Sequence, residues 1–476
     1  MPVQKGLTAI IYRVRGLRYF GLAAVVGLSF SLRFWQLGRF DALVFDEVYY
    51  VKFAQAYLQG QAVFDAHPPL GKYLIAVGIW LGERLGNNSN DVTAELGLWP
   101  VSYRWMNAFV GALIPLVVVG ICQVLRRDLG GRGAIHKSPF SKNRIWLFSL
   151  LSGGFVAIDG LFITEARYAL INTYIVFFGL LGHWLWLYAA NMLTVEQSRR
   201  RTVLRLLSGI ALGGAIATKW NGLGYVLSLL LWEGWRFIQS TTFAAEKQHF
   251  RSIKQAFQQI NWRRALIIAG FLILLPAVVY SLIWIPHLSI NEDSFLSIHH
   301  TLFSFHQGLD EMQVACSRWF TWPLLIKPIA YWYEESAGKA YTVNNLGNPA
   351  LWWLSSAAIV MLTINTVRFV KATTQKGNGV VAYVLVGHLA NWLPWAMVSR
   401  CTYNYLYMPS AVFGFVGLAW LLSDWLSVRS PATTRQMGFA FLGAIALSFF
   451  FWLPLSLGSP LTPEQLQLRW WLHSWI

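Results

Sequence analysis

Charge is scarce in this chain. Only 12% of its 476 residues are Asp, Glu, Lys or Arg, against about 25% in a soluble domain. Apolar residues make up 56%, where soluble domains hold about 45–50%. Apolar runs of about 20 residues recur, the length needed to cross a hydrocarbon core. Together these exclude a soluble globular protein. Cysteine is nearly absent, with three in all, and none shares zinc-site spacing with a histidine. Cys316 and Cys401 fall in segments expected outside the cell, where a disulfide is permitted. The sequence leaves their pairing open, and three small buried apolar residues is the plainer reading. No internal repeat or low-complexity tract is visible. The stretch Arg18–Trp35 is too long for the core of a cleavable signal and lacks a small-residue cleavage site, so it reads as a first span that stays.

The net charge of +17 invites a nucleic-acid partner, but its distribution argues against one. Basic residues cluster at Lys5 to Arg18, Arg126 to Arg144, Arg199 to Arg205 and Lys247 to Arg264. Acidic residues gather instead between Gln36 and Pro100 and between Pro286 and Pro349. Alternating basic and acidic loops are the signature of membrane orientation, with the N-terminus cytoplasmic and the acidic loops outside. The expected architecture is an all-α polytopic membrane protein, 1–476 forming one membrane domain. About eleven spans are placed near 17–36, 101–125, 145–163, 168–190, 204–219, 222–238, 265–286, 349–369, 379–398, 403–422 and 437–457. An odd count puts the C-terminus outside. Lys219, between two of these spans, is too costly for lipid and predicts a tight outer turn.

The two large outer loops, 37–100 and 287–348, hold the informative residues. In the first, Asp46 and Glu47 stand side by side just past a membrane end. An ionised pair there is costly unless it works or is paired; two solvated loop carboxylates is the plain alternative. Then come Asp65, His67, Pro68, Pro69 and Lys72. The proline pair ends any preceding element. Residues 70–85 follow with a helical stripe of Leu70, Tyr73, Leu74, Val77, Trp80 and Leu81. That helix is too short to span and is expected in the outer interface, with Lys72, Glu83 and Arg84 toward water. His299, His300 and His306 in the second loop are close in sequence, but solvated or hydrogen-bonded histidines account for them better than a metal. Asn87-Asn88-Ser89 is a formal glycosylation triplet.

Asp46-Glu47 followed by Phe64-Asp65-Ala66-His67-Pro68-Pro69-Leu70-Gly71-Lys72 resembles the first luminal loop of the protein O-mannosyltransferases, membrane enzymes of the GT-C fold that use a polyprenyl-phosphate sugar. Arg104 with Asn107 to Pro115 is similar to the family's second span. Asp159-Gly160-Leu161-Phe162-Ile163-Thr164-Glu165-Ala166-Arg167-Tyr168 is similar to its Asp-x-Leu-Phe-Val-Thr-Gln-Ser-Arg-Tyr segment. Lys219-Trp220-Asn221-Gly222 resembles its Lys-Trp-x-Gly turn. Phe305-His306 with Ser317 to Leu324 resembles its Ser-x-Trp-x-Trp-Pro stretch, and Asn391 to Trp395 with Arg400 its late Leu-Pro-Trp and Arg. The pieces run in order from about residue 40 to 420. Some features depart. The family's His-x-Tyr is missing from Met312 to Ala315, its aspartate after Ser-Arg-Tyr is Asn172 here, and the second loop is too short for a β-trefoil MIR module. The last points to a bacterial-type member.

The resemblance implies transfer of a mannosyl or similar hexosyl group from a polyprenyl-phosphate donor to Ser/Thr hydroxyls of exported proteins at the extracytoplasmic face of the cell membrane. Inversion with Asp46 as base is implied, and Glu47 would orient the acceptor or tune Asp46. Arg104 is expected at the donor phosphate, with Arg167, Lys219 and Arg400 as further cations; snorkelling to the interface is the alternative for Arg167 and Lys219. Asp65, His67, Pro68, Lys72, His306, Trp319 and Trp322 would form the substrate loops. The two tryptophans would stack on peptide or sugar, unless they only anchor the interface. Asp-x-Asp is absent, and neither metal nor cofactor is expected. Membrane lipid and an export translocon are candidate partners. Two other functions stay open: a related enzyme with a lipid or polysaccharide acceptor, and a transporter, for which repeated halves would be expected.

Overall fold

The computed structural model describes residues 2–85, 96–129, 139–192, 194, 196–248, 262–308, 315–368, 379–427 and 430–475. The glycosylation triplet at 87–89, Met312 and several basic loop residues, among them Arg132, Arg251 and Lys254, lie outside the described residues.

Each of the eleven apolar segments falls on helix. Apolar backbone in lipid must satisfy its own polar groups, and a helix does so within one segment. Seven described helices are long and apolar enough to cross a membrane, and a bent pair adds an eighth. Several start on proline, at Pro100, Pro139 and Pro349, where the missing N–H costs nothing. The last long helix, Ala432–Leu457, ends on Gly458 at φ 60°, a left-handed stop that favours glycine.

Two buried arginines, Arg33 and Arg167, set the frame. Helix α1 (Pro2–Phe34) is followed by the segment 37–100, which holds α2 (Glu47–Leu58) and α3 (Leu70–Leu85). Helices α4 (Pro100–Leu129) and α5 (Pro139–Ile158) come next, and α5 breaks by 57° into α6 (Gly160–Arg167). Arg33 fills the break and donates to the Val156 and Ala157 carbonyls, both at 3.3 Å, which α5 can no longer satisfy itself. Asp159 caps α6 through Phe162 N and also accepts from Asn348 N and the Trp352 indole. Arg167 caps the end of α1, donating to the carbonyls of Leu32, Arg33, Trp35 and Gln36.

Helix α3 has the bounds expected, but its faces correct the reading. The stripe residues Val77 and Trp80 are exposed, whereas Lys72 is fully buried rather than turned to water. Its ammonium pairs with Asp65 and donates to the His67 and Pro68 carbonyls. Gly71 brings the helix close to its neighbours, since a Cβ there would sit 2.5 Å from Ile171.

The purely helical expectation needs one amendment. Segment 287–348 contains an antiparallel hairpin, β1 (Ala330–Ser336) with β2 (Lys339–Asn344). Its turn is Ala337-Gly338, both at positive φ (50° and 72°), the twist that two-residue hairpins favour.

Candidate functional site

Adjacent carboxylates 46 and 47 receive opposite treatment. Glu47 is fully buried. Arg104 grips it with both prongs, Nε to Oε1 at 2.9 Å and Nη2 to Oε2 at 2.8 Å. Glu47 also accepts from Val44 N and Ala169 N, each at 2.8 Å. The remaining guanidinium donors reach the Leu37, Phe40 and Ala42 carbonyls. All five N–H groups of Arg104 are thus engaged within the protein. This corrects two expectations: Arg104 has no donor left for a phosphate, and Glu47 has no lone pair left to orient an acceptor. Arg167 is likewise committed, to the end of α1. The Arg104–Glu47 pair instead shapes the turn in front of α2.

That turn aims Asp46. Phe45 is held at φ 53°, a conformation a bulky residue adopts only under constraint. Asp46 occupies the cap position of α2, yet its side chain makes no capping hydrogen bond, so the carboxylate is available for other work. Burial raises its pKa to about 6; Asp65 adds to the rise, and Lys219 and a hydrogen bond from Tyr50 oppose it.

Lys219 interacts with Asp46 from the junction between helix Ser198–Thr218 and the single 3₁₀ turn Trp220–Gly222 that leads into helix Leu223–Gln248. Burial lowers its pKa to about 8 against the pull of Asp46, Glu165 and Asp65, and Arg400 adds to the fall. Its ammonium lies 3.4 Å from Asn172 Oδ1 and 5.2 Å from the centre of the Tyr405 ring.

Lys219 also lines a cavity of about 860 Å³ together with His67, His306 and Arg400. The same lining includes the apolar side chains Leu223, Leu227, Phe303 and Met397, all exposed. Asp46 is not among the residues that line this space, but it favours the charged form of Lys219, which is. Arg400 makes one hydrogen bond to protein among the described residues, to the Cys401 carbonyl. His67 stacks on His306, ring centres 5.7 Å apart, and His306 Nε2 meets the Ala66 carbonyl at 2.9 Å. Pro68 is buried at the cavity wall. Among the described residues no three His, Cys, Asp or Glu side chains are grouped to hold a metal ion.

The disulfide left open by the sequence is present. Cys316 and Cys401 are bonded, Cα atoms 5.2 Å apart, and Ser317 and Thr402 beside them exchange two hydrogen bonds of 2.7 Å. This clamp fixes the backbone next to Arg400. It also explains the tryptophans. Trp322 is buried, its indole on Ser317 Oγ and its ring against Trp395, so it is unavailable to stack on a substrate. Trp319 is half-buried and packs edge-on against Trp392.

Sequence reasoning missed Glu165 as a site residue. It is fully buried and accepts from Tyr331 Oη and Asn172 Nδ2. The available signal was a lone carboxylate inside an apolar stretch, expensive without partners.

A family model described as dolichyl-phosphate-mannose-protein mannosyltransferase matches residues 23–130 and 138–290. A second, the C-terminal four-span region of protein-O-mannosyltransferase, matches 292–475. The polyprenol-phosphate-mannose–protein mannosyltransferase of Mycolicibacterium smegmatis is 25% identical over 95% of this chain and 92% of its own length. Its Mycobacterium tuberculosis counterpart is 25% identical over 97% and 92%. Among solved structures, the Saccharomyces cerevisiae protein O-mannosyltransferase Pmt1–Pmt2 complex bound to the sugar donor superposes with a TM-score of 0.75 at 18% identity, covering 96% of this chain and 92% of the other.

Proposed function

The chain belongs to the dolichyl-phosphate-mannose–protein mannosyltransferase family, and from that premise we propose that it moves a mannosyl group from a polyprenyl phosphate to a Ser or Thr hydroxyl of an exported polypeptide, with Asp46 as base. It is a multi-pass membrane glycosyltransferase. The observation that carries the reading is a cavity lined both by the cations Lys219 and Arg400 and by exposed apolar side chains. A phosphate attached to a long hydrocarbon combines the same two characters.

The reaction follows from the groups present. Asp46 accepts the proton of the acceptor hydroxyl as its oxygen bonds to the anomeric carbon. The bond from that carbon to phosphate oxygen breaks, and its electron pair leaves with the polyprenyl phosphate. Lys219 and Arg400 stabilise the growing phosphate charge, so the reading uses no metal or cofactor. Attack opposite the leaving group inverts the anomeric centre. Asp65 and Lys72 act on structure here, pinning the loop that presents His67 and Pro68 to the cavity.

Arg400→Ala is expected to weaken binding of the polyprenyl-phosphate donor about 10- to 100-fold, the value of a hydrogen bond to a charged group. Arg400→Lys should recover part, because charge survives without the fork. Equilibrium binding to the detergent-solubilised protein decides it, and unchanged affinity in the Ala variant removes Arg400 from the donor site.

We further propose that this chemistry faces the outside of the cell membrane, where an export translocon would deliver the acceptor. The disulfide should be kept when orientation is tested, so only Cys122, the free buried cysteine, is replaced before single cysteines are introduced. An impermeant thiol reagent applied to intact cells should label positions in 37–100 and 287–348 but not in 126–144 or 239–264. Labelling within 239–264 would break the orientation.

A further inference from the structure

Glu165 takes no part in the transfer step described above, yet it is a fully buried carboxylate, and such a group persists only with partners. Its partners lead to the reacting groups on both sides. Oε2 accepts from Asn172 Nδ2 at 3.2 Å, and the other end of that amide, Oδ1, accepts from Lys219 Nζ at 3.4 Å. A carboxylate and an ammonium are thus joined through one amide, which each charge polarises in the same sense. Oε1 accepts from Tyr331 Oη. The Tyr331 ring lies flat on Phe45, centres 4.0 Å apart, and Phe45 is the residue before Asp46. Asn345 Nδ2 holds the same hydroxyl at 3.2 Å.

The sequence pattern this segment resembles has glutamine where Glu165 stands and aspartate where Asn172 stands. Carboxylate and amide have changed places across a single hydrogen bond. The negative charge is retained, one hydrogen bond further from Lys219. Changing either residue alone leaves two carboxylates in contact or none.

We propose that Glu165 is a positioning residue that orients Lys219 and sustains its charge through Asn172, and that the double substitution Glu165→Gln, Asn172→Asp preserves this function. The inference rests on the reading of Lys219 as the cation between Asp46 and the donor phosphate. The charged and titratable groups facing Lys219 are Asp46, Glu165, Asp65 and Arg400, with His67, His306 and Tyr405 beside them. Burial pulls the Lys219 pKa down to about 8 while the three carboxylates resist; burial also raises Glu165 to about 7, so Glu165 is ionised in the range where Lys219 titrates. Removing one of them lets Lys219 lose its proton at lower pH, and a carboxylate at position 172, in direct reach of Nζ, reverses that.

The test uses the full chain in nanodiscs with two readouts. One is competitive acylation of Lys219 across pH, quantified by peptide mass spectrometry, which needs no enzymatic activity. The other is the pH profile of single-turnover transfer from polyprenyl-phosphate-mannose to a Ser/Thr peptide. Glu165→Gln should move the Lys219 midpoint and the alkaline limb of transfer down together by about one pH unit, a tenfold change in proton affinity. The double variant should return both. Asn172→Asp alone should raise the midpoint, and this variant decides the matter should Glu165→Gln fail to fold. An unmoved midpoint in Glu165→Gln, or a double variant no better than Glu165→Gln, overturns the proposal. A wild-type chain that transfers nothing from this donor while the labelling midpoints still shift as described sinks the functional reading and leaves the inference about Lys219 standing.

Discussion

Asp46→Asn is expected to slow single-turnover transfer by at least about 10²- to 10⁴-fold, the usual contribution of a positioned general base. The substitution keeps the shape of the side chain and removes its basicity. Donor binding measured well below the Lys219 midpoint should survive, because the charge lost repels phosphate and Lys219 is still protonated there. The wild-type profile carries a second mark of the same group. A base acts in its ionised form, and burial holds the Asp46 carboxyl at about 6, well above the ordinary aspartate range. Activity should therefore rise with pH through about 6 rather than near 4. It should fall again above about 8, where Lys219 loses its proton. Asp46→Glu should stay slow, since the longer side chain misplaces the oxygen. Normal turnover in Asp46→Asn would move the chemistry elsewhere, and Asp65, the next carboxylate in the same field, would be tested next.

The parts of this molecule visible in its sequence are those set by local pattern. Apolar length marked every long helix, and the helix at Leu70–Leu85 followed from a proline pair and a stripe. The cations worth testing were also visible, because a Lys or Arg at a span end is expensive. What the sequence could not tell was which of them the protein uses for itself. Arg104 and Arg400 look alike as letters. One is consumed by Glu47, 57 residues away, and by three carbonyls; the other, among the described residues, donates to the Cys401 carbonyl alone and lines the cavity. Asp46 and Glu47 are neighbours, and only the fold shows that Glu47 is tied on all sides. Lys72 was sent to water because helix periodicity says nothing of an ion partner seven residues back. Cys316 and Cys401 are 85 residues apart, and no local signal links them.

Arg104→Ala is therefore expected to damage the fold before it touches the donor. The substitution strands Glu47, fully buried, with its charge and only backbone donors from Val44 and Ala169. It also frees the carbonyls of Leu37, Phe40 and Ala42. Breaking a buried pair from one side costs about 3–5 kcal/mol, a large fraction of the total stability of an ordinary domain. The variant should lose most of its monodisperse yield in detergent and melt well below the wild type. Arg104→Lys should fall between, since one ammonium cannot replace five fixed donors. Glu47→Gln should also destabilise, by stranding the guanidinium instead. The double variant Arg104→Met, Glu47→Leu should be more stable than either single Arg104→Ala or Glu47→Gln, because no buried charge is left without a partner. Thermal melts of the five proteins, wild type included, beside donor affinity of whichever remain folded, separate the two roles. An Arg104→Ala chain that melts like the wild type but binds donor weakly would put the guanidinium on the phosphate after all. Loss of stability with affinity preserved in the folded fraction fits an arginine whose work is to hold the turn that aims Asp46.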